Sequence, residues 1–143
     1  MRALIDTCII IDAMQSRQGF AENAQQIFLL AANRKFTGYV SAKSVTDIYY
    51  IMHRYFHDDK QTRNILNKLL IIFGIMDTAG ADCRQALLSK TSDFEDAVMI
   101  ETAKRSDADC IVTRNTKDYA KADIKVYTPK EFIRVVREDD KVF

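Results

Sequence analysis

Residues 92–119 read SDFEDAVMIETAKRSDADCIVTRNTKDY, and this stretch decides the fold because it predicts a helix that leads into a buried strand. Ser92 followed by Glu95 forms a capping box, and the helix dipole favours the acids that crowd the first turn. Two basic residues close the last turn, and the apolar run at 110–112 is typical of a buried strand. Polar residues then follow at 113–118, where open α/β sheets bind their ligands.

The rest of the chain alternates between strands and helices in the same way. Short apolar runs predict strands at 2–5, 36–40, 75–76, 110–112 and 124–127. Helical spacing and capping residues predict helices at 9–14, 20–33, 43–56, 59–73, 79–88 and 92–105, and a last one that Thr128 caps. This order predicts an α/β fold with a mainly parallel sheet, built as a single domain over residues 1–143.

The composition is that of an ordinary globular domain. The chain has 143 residues, of which 48% are hydrophobic, and its net charge is +1. No apolar run approaches the roughly 20 residues of a membrane span, and Asp6 comes too early for a signal peptide, so we expect a cytoplasmic protein. The three cysteines lack the paired spacing of a zinc site, and we expect reduced, mostly buried thiols. Nucleic-acid binding would need a local basic patch.

Acidic residues recur where this fold would bring them together. Asp6 follows the first strand and Asp118 follows the strand at 110–112, so both are expected at the same edge of a parallel sheet. Helix N-termini lie at that edge too, which would add Asp96 after Ser92 and Asp47 after a Ser41 or Ser44 cap. We therefore expect four carboxylates to converge.

Such a cluster needs a counter-charge. Two like charges about 4 Å apart repel by about 4 kcal/mol at an effective dielectric near 20. A divalent cation is the simplest answer, and oxygen ligands without histidine or cysteine favour Mg²⁺ or Mn²⁺. Metal-bound water is more acidic and the ion neutralises phosphate charge, which is the chemistry of nucleases.

Four stretches resemble the PIN domain family, and within it the bacterial VapC-like toxins. They are LIDTCIIID at 4–12, the acid in the helix after the second strand, DFEDA at 93–97 and IVTRNTKDY at 111–119. The resemblance extends over essentially the whole chain. It implies a three-layer α/β/α sandwich with four to five strands, a pocket holding Mg²⁺ or Mn²⁺, cleavage of RNA, a homodimer and an antitoxin partner.

The resemblance also assigns roles to individual residues. Asp6, Asp47 and Asp96 would bind the metal, and Asp118 would supply a further carboxylate; these four are the expected catalytic residues. The residues expected around the ligands, in support of them, are Thr7, Asp93, Thr113 and Asn115. Three positions depart from the family pattern: Cys8 stands where asparagine is common, Asp47 replaces a glutamate, and Asn115 replaces the usual fourth acid.

Basic and aromatic residues near this edge suggest contacts with RNA or with a second subunit. Lys43, Arg114 and Lys117 are candidates for phosphate binding, and the fork of Arg114 suits a phosphate best. The aromatic residues of the helix at 43–56 are expected in the core or at a subunit interface.

The leading hypothesis is therefore a metal-dependent endoribonuclease, the toxin of a toxin–antitoxin pair. The alternative is a catalytically degenerate PIN-fold module that binds RNA or a protein partner without turnover. A receiver-like signalling domain fits less well, because Lys125 lies within the last predicted strand rather than after it.

Overall fold

Five parallel strands form the centre of the computed structural model, which describes residues 1–142. In chain order the elements are β1 (Arg2–Ile5), α1 (Thr7–Met14), α2 (Ala21–Ala32), β2 (Thr37–Ser41), α3 (Ala42–Phe56), α4 (Asp59–Ile72), β3 (Gly74–Met76), α5 (Gly80–Ala86), α6 (Phe94–Arg105), β4 (Cys110–Val112), a 3₁₀ helix (Thr116–Tyr119), β5 (Lys125–Tyr127) and α7 (Pro129–Val142). The predicted α/β class and parallel sheet are confirmed.

The strand order places the crevice of the sheet beside β1. The order is β3-β2-β1-β4-β5, and every neighbouring pair is parallel. β2 and then β3 extend the sheet from one side of β1, whereas β4 and then β5 extend it from the other side. Ligands bind at such a reversal, outside the carboxyl ends of the strands. Asp6 and Thr113, which follow β1 and β4, flank this position.

Helices cover both faces of the sheet, which confirms the three-layer sandwich. Alternate residues of β1 point to opposite faces: Ala3 and Ile5 belong to one core, and Leu4 belongs to the other. The larger core holds buried side chains of α1–α4 and α7, and the smaller one packs Ile100 and Ala103 of α6 against the sheet. Strands buried on both faces explain the continuous apolar runs. Within residues 1–142, no helix combines the length and apolarity needed to cross a bilayer.

One helix start differs from the prediction and a second uses one of the two predicted caps, and both affect the site. Asp93, rather than Ser92, caps α6, and its Oδ1 accepts a hydrogen bond from the Asp96 N–H at 3.0 Å. Ser41, rather than Ser44, caps α3 by accepting from the Ser44 N–H at 3.1 Å. The earlier cap places Asp47 in the second turn of α3 instead of the first.

The cysteines are free thiols in three different environments. Cys110 is buried, Cys8 is partly buried and Cys83 is exposed, so the expectation of mostly buried thiols is wrong for Cys83. Burial raises the pKa of Cys8 to about 11 and that of Cys110 to about 12. Both of these thiols are therefore protonated at neutral pH.

Candidate active site

Asp6 is held in place by the neighbouring strand. Its backbone N–H extends the pairing beyond β1 by donating to the Val112 carbonyl at 3.0 Å. Its Oδ2 accepts a hydrogen bond from Thr113 Oγ1 at 2.7 Å and a weaker one from Cys8 Sγ at 3.5 Å. Thr113 is fully buried and lies 107 residues further along the chain. The parallel sheet thus joins Asp6 and Thr113, as their positions after β1 and β4 predict.

Asp96 lies in the first turn of α6 and is held by Tyr119. The Tyr119 hydroxyl donates to Asp96 Oδ1 at 3.0 Å, and only 2% of the tyrosine is exposed. A buried tyrosine needs a partner for its hydroxyl, and the carboxylate supplies one. Tyr119 was not among the predicted site residues. Its only signal in the sequence is an aromatic residue directly after Asp118.

The electrostatic environment of Asp96 is dominated by burial and by other acids. Burial raises its pKa most, the carboxylates of Asp93, Asp6 and Asp118 raise it further, and the hydrogen bond from Tyr119 opposes them, giving a pKa of about 6. Burial and the charges of Asp6 and Asp96 likewise raise the pKa of Tyr119. The site therefore carries excess negative charge, and Tyr119 stays protonated as a hydrogen-bond donor.

Asp47 belongs to the wall of the same cavity but is paired with a lysine. Lys43 Nζ contacts Asp47 Oδ2 at 2.7 Å and also bonds Glu95 Oε1. The cavity has a volume of about 390 Å³, and its polar and charged lining residues are Asp6, Thr7, Ser41, Lys43, Ser44, Asp47, Tyr50, Arg54, Thr78, Glu95, Asp96 and Thr102. Lys43, for which phosphate binding stays a prediction, supplies a positive charge to the lining of the cavity.

The predicted cluster of four acids is not a preformed cage. Within residues 1–142, no three His, Cys, Asp or Glu side chains are arranged to hold a metal ion. Asp6 and Asp96 nevertheless suit a hard cation, because the hydrogen bonds from Thr113 and Tyr119 each use only one carboxylate oxygen. Mg²⁺ is commonly bound through one or two carboxylates with several waters completing its shell. The donor set therefore fits a hydrated ion at Asp6 and Asp96.

Comparison with known proteins identifies the family of this chain. The family model described as the PIN domain matches residues 2–117. The chain belongs to the PIN domain family. A search of curated proteins gives no significant match.

Solved structures with the same fold include three toxin–antitoxin or VapBC complexes. The PIN domain is similar to VapBC2 from Rickettsia felis, bound to promoter DNA, with 18% identity over 90% of this chain and 98% of that chain and a TM-score of 0.66. A toxin–antitoxin complex from Klebsiella pneumoniae is 24% identical over 89% of this chain and 97% of that chain, with a TM-score of 0.66. VapBC-1 from nontypeable Haemophilus influenzae is 14% identical over 91% of this chain and 99% of that chain, with a TM-score of 0.66. At these identities the likeness concerns the fold.

The remaining predicted residues after β4 surround the acidic edge of the PIN domain. Asp118 is exposed on the 3₁₀ helix and acts on Asp96 through its charge. Lys117 lines a small cavity of about 90 Å³ together with Asp118. The Asn115 N–H donates to Thr113 Oγ1 at 3.1 Å, so this residue supports the site through its backbone.

Arg114 is bound to a buried acid, Asp12, for which the sequence predicts no role. Its Nε donates to Asp12 Oδ2 at 2.6 Å and its Nη2 to Asp12 Oδ1 at 3.3 Å. Asp12 is 1% exposed, and Arg17 approaches it to 3.6 Å. The fork expected to bind phosphate is therefore engaged within the PIN domain. The only signal for Asp12 in the sequence is an acid within the apolar run of α1.

Proposed function

We propose that this PIN domain is a metal-dependent endoribonuclease that hydrolyses RNA phosphodiester bonds. The observation that carries the proposal is that Asp6 and Asp96 line one cavity, and that each carboxylate accepts a hydrogen bond from a hydroxyl group. Asp96 has a pKa raised to about 6 by burial and by surrounding acids. A carboxylate with a perturbed pKa in a cleft is typical of a functional site. A divalent cation would relieve the repulsion between Asp96 and the surrounding acids.

Asp6 and Asp96 would hold Mg²⁺ or Mn²⁺, with Asp118 adding negative charge from the rim. When bound, the ion lowers the pKa of a coordinated water and neutralises phosphate charge. Thr113 and Tyr119 orient the two carboxylates by donating to one oxygen of each. Asp47 remains a candidate ligand from the α3 wall, where Lys43 now neutralises it.

The decisive experiment compares RNA cleavage by the wild type and Asp96→Asn in the presence and absence of Mn²⁺. We expect the substitution to lower the cleavage rate at least tenfold, because ligand and supporting groups at metal sites typically contribute about 10- to 100-fold each. Asp123→Asn is the matched control, since Asp123 is exposed and pairs with Lys104 at 3.0 Å. Equal cleavage by wild type and Asp96→Asn, or none by either, would exclude the enzymatic proposal.

An antitoxin is the proposed partner. The support is that the similar solved structures are toxin–antitoxin and VapBC complexes. Expression of the wild type in bacteria should arrest growth, whereas Asp96→Asn should not. Co-expression of a protein encoded beside the gene should restore growth and co-purify with the wild type. Growth arrest by both variants would show toxicity unrelated to the site.

A homodimer is proposed from exposed apolar side chains. Tyr50 and Tyr55 of α3 are 66% and 63% exposed, and Leu87, Leu88 and Phe94 near the start of α6 are also exposed. Where exposed apolar side chains form one contiguous patch, that patch marks a protein interface. Light scattering coupled to gel filtration should give twice the monomer mass of 16.4 kDa. A monomer at all concentrations would refute this assembly.

The second candidate function is an RNA- or protein-binding module without turnover. The observation in its favour is the ammonium of Lys43, which bonds both Asp47 and Glu95 inside the cavity. A lysine at that position can neutralise the wall without a metal. RNA binding that persists unchanged in chelator, with no cleavage under any divalent cation, would favour this function over the nuclease.

A further inference from the structure

A second cavity lies beside the segment that follows β4. Its volume is about 340 Å³, and we call it the Phe20 pocket. It is lined by the chain before and within α2, by the residues after Thr113, and by the start of α7: Gly19, Phe20, Asn23, Arg114, Asn115, Thr128, Pro129 and Lys130. Thr128 and Pro129 follow β5, so this pocket opens at the same carboxyl edge of the sheet as the acidic site.

The pocket contains an exposed aromatic ring on a fixed support. Phe20 is 46% exposed, although it is a large apolar residue, and the Arg114 guanidinium carbon lies 4.1 Å from its ring centroid. The guanidinium is itself held by the buried Asp12. One face of the ring is thus covered by a positioned cation, while the residue remains accessible from the cavity.

The surrounding polar groups favour an anionic, hydrogen-bonding ligand. Arg17 and Arg114 both pair with Asp12, so this group keeps a net positive charge. Lys130 adds a further cation to the lining, and Asn23 and Asn115 contribute side-chain amides. An aromatic ring, amides and cations together are the groups that proteins use to bind unpaired bases and their phosphates.

The Phe20 pocket is linked to the acidic site by two hydrogen bonds. Asn115, which lines the pocket, donates its backbone N–H to Thr113 Oγ1 at 3.1 Å. The same Thr113 hydroxyl donates to Asp6 Oδ2 at 2.7 Å. A single strand that crosses the carboxyl edge of the sheet would therefore meet both sites in succession.

We propose that the Phe20 pocket binds one unpaired base of single-stranded RNA, close to the phosphate at Asp6 and Asp96. This inference rests on the proposed ribonuclease function. The base stacks on Phe20, its edge bonds the amides of Asn23 and Asn115, and Lys130 contacts the adjoining phosphate. The pocket would accept only an unpaired base, because a paired base is not available for stacking on a side chain.

The sequence allows a direct measurement, because it contains no tryptophan. Phe20→Trp introduces a single indole into the pocket, and Ile71→Trp does the same as a control near the end of α4, where Ile71 is 84% exposed. Each variant is titrated in EDTA with ten-nucleotide oligo(U), oligo(A) and an abasic oligomer of the same length. We expect saturable quenching of Phe20→Trp by the two base-containing oligomers only, and no comparable change in Ile71→Trp.

A second comparison tests the contribution of the ring to affinity. Phe20→Leu should weaken binding of oligo(U) by about 5- to 150-fold, the loss that corresponds to one base–aromatic stack. It should leave the binding of the abasic oligomer unchanged. Ile71→Ala is the control for loss of an exposed apolar side chain, and circular dichroism melting verifies that all variants fold.

The outcomes separate this proposal from the nuclease function. Manganese-dependent cleavage of RNA with no base-dependent quenching and no effect of Phe20→Leu would refute the pocket and leave the nuclease intact. Base-dependent quenching without cleavage would support the pocket and refute the nuclease. Equal loss of affinity for abasic and base-containing oligomers would also overturn base stacking. Quenching by a co-purified protein, but not by RNA, would identify a peptide site instead.

Discussion

Asp96→Asn is expected to stabilise the protein when no metal is bound, and the gain should appear only above about pH 4. The pKa of Asp96 is about 6 in the folded protein, against 3.8 for the free side chain, because burial and neighbouring acids disfavour its charge. The folded state therefore binds its proton more tightly than the unfolded state. Stability is lost as the pH rises between these two values and stays lost above about pH 6.

The magnitude follows from the same values. At 1.36 kcal/mol per pH unit, the difference between the two pKa values corresponds to a penalty of at most about 3 kcal/mol. Asp96 is only partly buried, so solvent screening reduces this, and we expect asparagine to recover about 1–2 kcal/mol at pH 8. Asparagine has the same shape and can still accept from Tyr119, so little packing should be lost.

Urea unfolding in EDTA at pH 4, 6 and 8 measures this effect. The gain in free energy of unfolding from Asp96→Asn should be near zero at pH 4 and complete at pH 8. In thermal melting at pH 8, the same gain should raise Tm by about 2–8 °C for a domain of this size. Asp123→Asn should give no gain, because Lys104 holds the pKa of Asp123 below its ordinary value. Saturating Mn²⁺ should stabilise the wild type more than Asp96→Asn. A gain that is independent of pH would refute the electrostatic reasoning.

Three further substitutions are expected to have distinct effects. Tyr119→Phe removes the hydrogen bond that lowers the pKa of Asp96, so this pKa should rise and Mn²⁺ affinity should fall about 10- to 100-fold, measured by calorimetry; unchanged affinity would contradict a supporting role. Arg114→Met leaves the buried Asp12 with only the longer ion pair to Arg17 at 3.6 Å, and urea unfolding should show a loss of about 2–4 kcal/mol, which the double variant with Asp12→Asn partly restores. Lys43→Gln removes the ammonium that competes with a metal for the carboxylates on the cavity wall, so Mn²⁺ should bind up to about fivefold more tightly; weaker binding would instead make the lysine a supporting group.

The sequence predicts those parts of the fold that depend on local pattern. The capping box at Thr128 and Glu131 is a local signal, and the Glu131 N–H does bond Thr128 Oγ1 at 3.2 Å. The start of α6 was misplaced by one residue because Ser92 and Asp93 are equally good caps. The meeting of Asp6 with Thr113 follows from parallel strands alone, since the carboxyl ends of neighbours coincide.

Side-chain partners from distant elements could not be predicted in the same way. The bond between Lys43 and Asp47 follows the i, i+4 rule of helices, but the second bond of Lys43, to Glu95 of α6, depends on the packing of two helices. The same is true of Tyr119 and Asp96. Periodicity indicates which face of an element is buried, and it carries no information about which partner a polar group finds there.

The order of the strands also determines when the site can exist during synthesis of the chain. β1 is made first, and its neighbour β4 is made much later. Thr113, which follows β4, lies 107 residues after its partner Asp6, and Tyr119 comes later still. Until Thr113 and Tyr119 have left the ribosome, a nascent chain contains Asp6 and Asp96 without the hydroxyl groups that position them. The acidic site would therefore be complete only after the residues of β4 and of the 3₁₀ helix have been made and folded against β1 and α6.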